Sequence, residues 1–123
     1  MRKYDYTELV AWQRAMDLAV AVYQASALLP PEERFGLQAQ MRRAAVSISA
    51  NIAEGQGRRT CGEFLNQLSV AYGSLCELET HVHLAQRLTL INDDAGKGIL
   101  DRAAEVGRLI NGLSKSLRNE NVR

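Results

Sequence analysis

The chain contains no segment that alternates polar and apolar residues, which excludes a half-buried sheet. It has no apolar run near the ~18 residues that span a bilayer. Its opening, MRKYDYTELVAW, lacks the apolar core of a signal peptide. The two cysteines, Cys61 and Cys76, fit no CxxC or zinc spacing, so they read as reduced thiols of a cytoplasmic protein. Charge of one sign is also missing. Fifteen Lys and Arg stand against fourteen Asp and Glu, so global electrostatics demands neither nucleic acid nor membrane. Low charge with 46% hydrophobic residues excludes disorder, and 123 residues make one domain, 1–123, with a real core.

What is present is helical periodicity. Four stretches of ~20 residues or more fill the chain, at about 7–28, 32–57, 61–89 and 93–118. In the first, Asp5 and Glu8 have capping-box spacing, and Leu9, Trp12, Met16, Ala19/Val20, Tyr23 and Ala27 share a face. Leu29-Pro30-Pro31 ends it, and Pro31 is suited to open the second helix. There Leu37, Met41, Ala44/Ala45, Ile48 and Ile52 form the apolar face, and Gly55 and Gly57 mark the exit. Thr60 and Glu63 cap the third, whose inward residues are Phe64, Leu68, Ala71/Tyr72, Leu75, Leu78, Val82 and Ala85. Gly73 inside it costs about 1 kcal/mol against Ala, which close approach by another helix would offset. Asn92 caps the fourth helix. Its Ile99, Ala103, Val106, Ile110, Leu113 and Leu117 step 4, 3, 4, 3, 4, the seam of a left-handed bundle. The tail after Arg118 is expected to fray. Short connections make the fold all-α, an antiparallel up-down-up-down four-helix bundle.

The chemistry concentrates on the second helix. Gln40, Arg43, Ser47, Asn51, Glu54 and Arg58 recur at three- and four-residue steps opposite the apolar face. Such a stripe, poor in ordinary Lys/Glu filler, suggests a surface that meets a partner. Gln40, Arg43, Ser47, Asn51 and Glu54 are candidate subunit-interface residues, supported by the small residues Ala44, Ala45, Ser47, Ser49, Ala50 and Ala53; tight packing within the chain is the alternative. From Arg34 to Arg59 five arginines face one acid, Glu54, a local charge of +4. Arg42, Arg43, Arg58 and Arg59 are candidate phosphate contacts, because guanidinium forks match phosphate. Pairing with acids of a neighbouring helix or subunit is the simpler use of the same residues.

Other motifs carry less. Gly55-Gln56-Gly57-Arg58-Arg59 follows a helix, lacks the third glycine of a dinucleotide fingerprint and lacks GKS/T. Glu77/His81 and Glu79/His83 are spaced Glu-x-x-x-His, not the Glu-x-x-His of bundle di-metal sites, and read as solvated or inter-subunit contacts. Two histidines and two scattered cysteines make no triad. No residue set calls for an enzyme, a metal or another cofactor.

ELVAWQRAMDLAVAVY, ERFGLQAQMRRAAVSISANIAEGQGR and EFLNQLSVAYGSLCELETHVHLAQRL, over about residues 8–91, resemble the bacterial four-helix-bundle family of the rRNA intervening-sequence proteins. That family includes the accessory variability determinant protein of diversity-generating retroelements. The resemblance implies a ring-shaped homopentamer, association with RNA or DNA, and a reverse transcriptase as a possible partner. One departure is Ser49, where relatives commonly carry Pro; it restores a backbone donor and should weaken any kink. The expected function is a non-enzymatic oligomeric scaffold with weak, sequence-indifferent nucleic-acid binding through repeated arginines. The alternative is a protein adaptor whose polar stripe only welds subunits together.

Overall fold

The computed structural model describes residues 5–122, which contain four α-helices and no strand. They are α1 (Val10–Ser26), α2 (Leu37–Gln56), α3 (Cys61–Arg87) and α4 (Asp93–Val122). α1 packs on α2, α2 on α3, α3 on α4 and α4 on α1, with no diagonal packing, so the helices form an antiparallel square.

Two helix starts lie later than the sequence suggests. Asp5 Oδ1 does accept from the Thr7 amide, at 3.1 Å, but the cap serves only a single 3₁₀ turn, Tyr6–Glu8. Leu9 is then extended (φ −73°, ψ 124°), which buries its side chain, and α1 begins at Val10. Likewise Pro31 opens a 3₁₀ turn, Pro31–Glu33, rather than α2. α2 starts after Gly36, and its first amide, Leu37, donates to Glu33 Oε1 at 3.0 Å. The first turn ends as Leu9 turns into the core, and the second is followed by Glu33 capping α2 at Leu37. α4 runs on to Val122 instead of fraying after Arg118, since no Gly or Pro interrupts its last turn.

The core is layered from all four helices. Met41, Ile48, Leu68, Leu78, Val106 and Ile110 are at most 1% exposed, and the α4 seam from Ile99 to Ile110 is buried as its heptad spacing requires. α1 differs from expectation by one position. Its buried residues are Ala11, Ala15, Leu18, Val22 and Ser26, whereas Met16, Val20 and Tyr23 are exposed and Trp12 is half-buried. One residue is 100° of helix rotation. Tyr72 is also more exposed than its inward assignment implied.

Glycine is used for close approach, but not at Gly73, where an added Cβ would meet nothing within 4 Å. Gly55 lies in the last turn of α2 and Gly57 is its C-cap, as the sequence suggests. A Cβ at Gly55 would lie 2.7 Å from Phe64 Cδ1 and 3.0 Å from Gln67 Cβ, so its absence lets α3 seat against α2. Ser49 leaves α2 unbroken and donates its hydroxyl to the Val46 carbonyl at 3.2 Å.

α3 ends with Thr89 at φ 57°, its amide donating to Gln86 and the Leu90 amide to Ala85, a Schellman pattern. A β-branched residue in this left-handed conformation is strained by about 1–2 kcal/mol. Thr89→Gly should therefore stabilise the protein by about 1 kcal/mol, a rise of a few degrees in thermal midpoint. An unchanged or lower midpoint by circular dichroism would refute the strain.

Candidate assembly face and nucleic-acid interface

The five arginines of the basic segment do not form one patch. Arg34 precedes α2 and Arg58 and Arg59 follow it, so about 30 Å of helix separates them. Arg34 stacks its guanidinium 5.3 Å from the Phe35 ring centre. Arg42 is committed to α1. Its Nε donates to Ser26 Oγ at 2.9 Å, one Nη donates to the Tyr23 carbonyl at 3.1 Å, and the guanidinium lies 4.6 Å over the Tyr23 ring. It thereby adds a second donor to the Tyr23 carbonyl, which already accepts from the Ala27 amide, and ties α2 to the last turn of α1. Arg58 donates to Glu54 Oε1 at 2.8 Å, an exposed pair worth little on its own. Arg43 and Arg59 are exposed and make no ion pair or hydrogen bond among the described residues.

The polar stripe of α2 is partly spent inside the chain. Ser47 Oγ meets Ser74 Oγ of α3 at 2.8 Å, and Asn51 Nδ2 donates to the Ser47 carbonyl at 2.7 Å and to Ser47 Oγ at 3.0 Å. The first bond ties α2 to α3, and the two Asn51 bonds stay within α2. With Glu54 held by Arg58, only Gln40 and Arg43 of the candidate interface residues stay exposed and unpartnered. His81 also lies on α3, and its buried Nδ1 has no hydrogen-bond partner. Among the described residues no group of three His, Cys, Asp or Glu comes together as a metal site.

A second surface stands out once α1 is turned to its observed phase. Met16, Val20 and Tyr23 are 40%, 55% and 45% exposed and follow one another at steps of four and three. Arg42 meets Tyr23, and the helices are antiparallel. Val46, one turn further along α2 and 46% exposed, therefore lies level with Ala19 and Val20. This row has the seam spacing of a helix that meets another helix, yet it faces outward.

The pole at which α2 ends and α3 begins carries Arg58 and Arg59, with the acids Glu54 and Glu63 beside them. Thr60 caps α3 by accepting from the Glu63 amide at 3.1 Å, and an open depression of about 400 Å³ lies over Arg58, Gly62, Glu63, Asn66 and Gln67. The Cys61 thiol sits 3.9 Å from the Leu117 carbonyl, which brings the end of α4, with exposed Lys115 and Arg118, beside this loop. The sequence carried a signal for these two residues that went unread: no acid occurs from Val106 to Asn119.

A family model described as 23S rRNA-intervening sequence protein matches residues 7–112. Among solved structures, a protein of unknown function of the S23 ribosomal protein family from Bacteroides thetaiotaomicron is similar. It has a TM-score of 0.80 and 24% identity, over 86% of this chain and 99% of that one, a likeness that speaks to the fold alone. No curated protein matches the chain. No helix among the described residues is long and apolar enough to cross a membrane.

Proposed function

Because the chain belongs to the 23S rRNA-intervening sequence protein family, we propose that it is a non-enzymatic, self-assembling scaffold of the cytoplasm that binds RNA or DNA weakly and without sequence preference. The observation that carries this reading is the outward apolar row Met16, Val20 and Tyr23 beside Val46. Burying such a row is favourable by about 25 cal/mol per Å² of apolar surface, which supplies a drive for closed assembly. A pentamer is the assembly that the family likeness suggests. Symmetry then repeats the pole of Arg58, Arg59, Lys115 and Arg118 around a ring. Several weak phosphate sites held together act with avidity, so the subunit does not need a large net charge. A reverse transcriptase is a protein partner consistent with the same likeness.

The adaptor reading, in which the polar stripe only welds subunits, is weaker because Ser47 and Asn51 already have partners within the chain. Light scattering should give a multiple of the 13.6 kDa chain mass, near five. Val20→Asp should reduce that mass to a single chain with the helical signal retained. In parallel, Arg58→Ala with Arg59→Ala should weaken RNA and DNA binding and flatten its salt dependence, since fewer counterions are released. A 13.6 kDa species at micromolar concentration would sink the assembly. Absence of binding even at low salt would sink the nucleic-acid part.

A further inference from the structure

α4 carries a row of polar residues that the bundle does not use. Arg108, Asn111, Lys115 and Arg118 follow at steps of 3, 4 and 3, which places them on one stripe, and all four are exposed. None makes a hydrogen bond or ion pair among the described residues. The contrast lies on the same helix, where Lys97 is held 2.9 Å from Asp101, which raises its ammonium above the usual lysine range. The acids of α4 nearest the stripe are Glu105, which lies 3.9 Å from Arg14 of α1, and Glu120 beyond Arg118; among the described residues neither is paired with a residue of the stripe. The three cations are therefore available to an outside anion.

The stripe borders an aromatic ring. Gly107, next to Arg108, is buried and lacks the Cβ that would sit 3.1 Å from Leu75 Cδ2 and 3.6 Å from Tyr72 Cε2. Tyr72 of α3 thus rests against α4 at Gly107, the residue before Arg108, with 38% of its surface still exposed. At the other end the stripe runs into the pole of Arg58 and Arg59, joined there by the Cys61–Leu117 contact.

We infer that this stripe is the track for a single-stranded nucleic acid. Arg118, Lys115 and Arg108 take successive phosphates along about 15 Å of helix, Asn111 offers hydrogen bonds between them, and one unpaired base stacks on Tyr72. A cationic row with an exposed ring at its edge suits a splayed single strand, whose bases are free to stack. A duplex hides its base faces and offers a straight row only a few phosphates. The inference rests on the proposed nucleic-acid function and adds to it the surface and the form of the ligand.

The test is fluorescence anisotropy at low salt with labelled 20-nucleotide oligo(dT), oligo(U) and a mixed 20-base-pair DNA duplex, on full-length protein. Single strands should bind more tightly than the duplex. Arg108→Ala/Lys115→Ala/Arg118→Ala should lose binding at least tenfold and lower the slope of log affinity against log salt by about 2, from ~0.7 per lost phosphate contact. Tyr72→Leu should weaken single-strand binding about tenfold, while Tyr72→Phe keeps it within about twofold, because the ring and not the hydroxyl does the stacking. Circular dichroism on each variant separates lost contacts from lost fold. Binding unchanged in the triple variant, a duplex bound as tightly as the single strands, or Tyr72→Leu equal to wild type overturns this inference and leaves the proposed function standing. No binding of any of the three ligands by the wild-type protein overturns both.

Discussion

Ile110→Asp is expected to unfold the bundle. Ile110 is 1% exposed and sits in the α4 seam with Ile99, Ala103 and Val106, which are equally enclosed. The substitution removes about 2–3 kcal/mol of apolar burial and places a carboxyl where no donor awaits it. The carboxyl either ionises without a partner or stays neutral with its hydrogen bonds unmade, and both are unfavourable. The combined loss is about 5 kcal/mol, comparable with the whole stability of a domain this size. Ala104→Asp, on the exposed face of the same helix, should stay within about 0.5 kcal/mol. The check is a pair of thermal melts followed at 222 nm. Equal midpoints for the two variants would mean that the seam does not face the core.

Gly55→Leu should be almost as damaging, for the opposite reason. At Gly55 the first side-chain carbon would be 2.7 Å from Phe64 Cδ1, with Gln67 Cβ at 3.0 Å on the same helix. Three further carbons have no room unless α2 and α3 separate. Overpacking of this kind costs about 3 kcal/mol, and more where the backbone must move. Helix propensity alone predicts the reverse, because leucine is favoured over glycine by most of 1 kcal/mol. Gly73→Ala, where nothing lies within 4 Å, should realise that gain of about 1 kcal/mol. Urea unfolding of the two variants beside wild type decides the matter. A Gly55→Leu midpoint at or above wild type would show that packing at this site is loose.

Much of the fold was legible because it depends on local rules. The Thr60 and Asn92 caps, the apolar face of α2 and the heptad seam of α4 each follow from residue type and spacing, and the structure has all of them. α1 was harder because it is apolar on two sides. Ala11, Ala15, Leu18 and Val22 form one row and Met16, Val20 and Tyr23 another, and periodicity alone cannot say which turns inward. The delayed starts at Val10 and Leu37 arise from Leu9 and Glu33, whose roles exist only once the bundle has closed.

The candidate sites were less legible, since a site depends on distances between helices. Arg34 and Arg58 are neighbours in a charge count and lie at opposite ends of α2. Arg42 looked available until Tyr23 and Ser26 were seen to hold it. Lys115 and Arg118 stand far from Arg58 in sequence, and the packing of α4 on α3, with Cys61 against the Leu117 carbonyl, brings their helix end to the same pole.

The antiparallel topology has a practical consequence for experiments. α1 begins, and α4 ends, at the same pole as Arg58 and Arg59. A fluorescent protein or affinity handle joined just before α1 or just after α4 would therefore crowd Arg58 and Arg59 and mask what it was meant to report. The connectors after Ser26 and after Arg87 are at the far pole. Labels inserted there, or a dye on a cysteine placed at the exposed Leu28 once Cys61 and Cys76 are changed to Ser, would leave the Arg58/Arg59 pole clear.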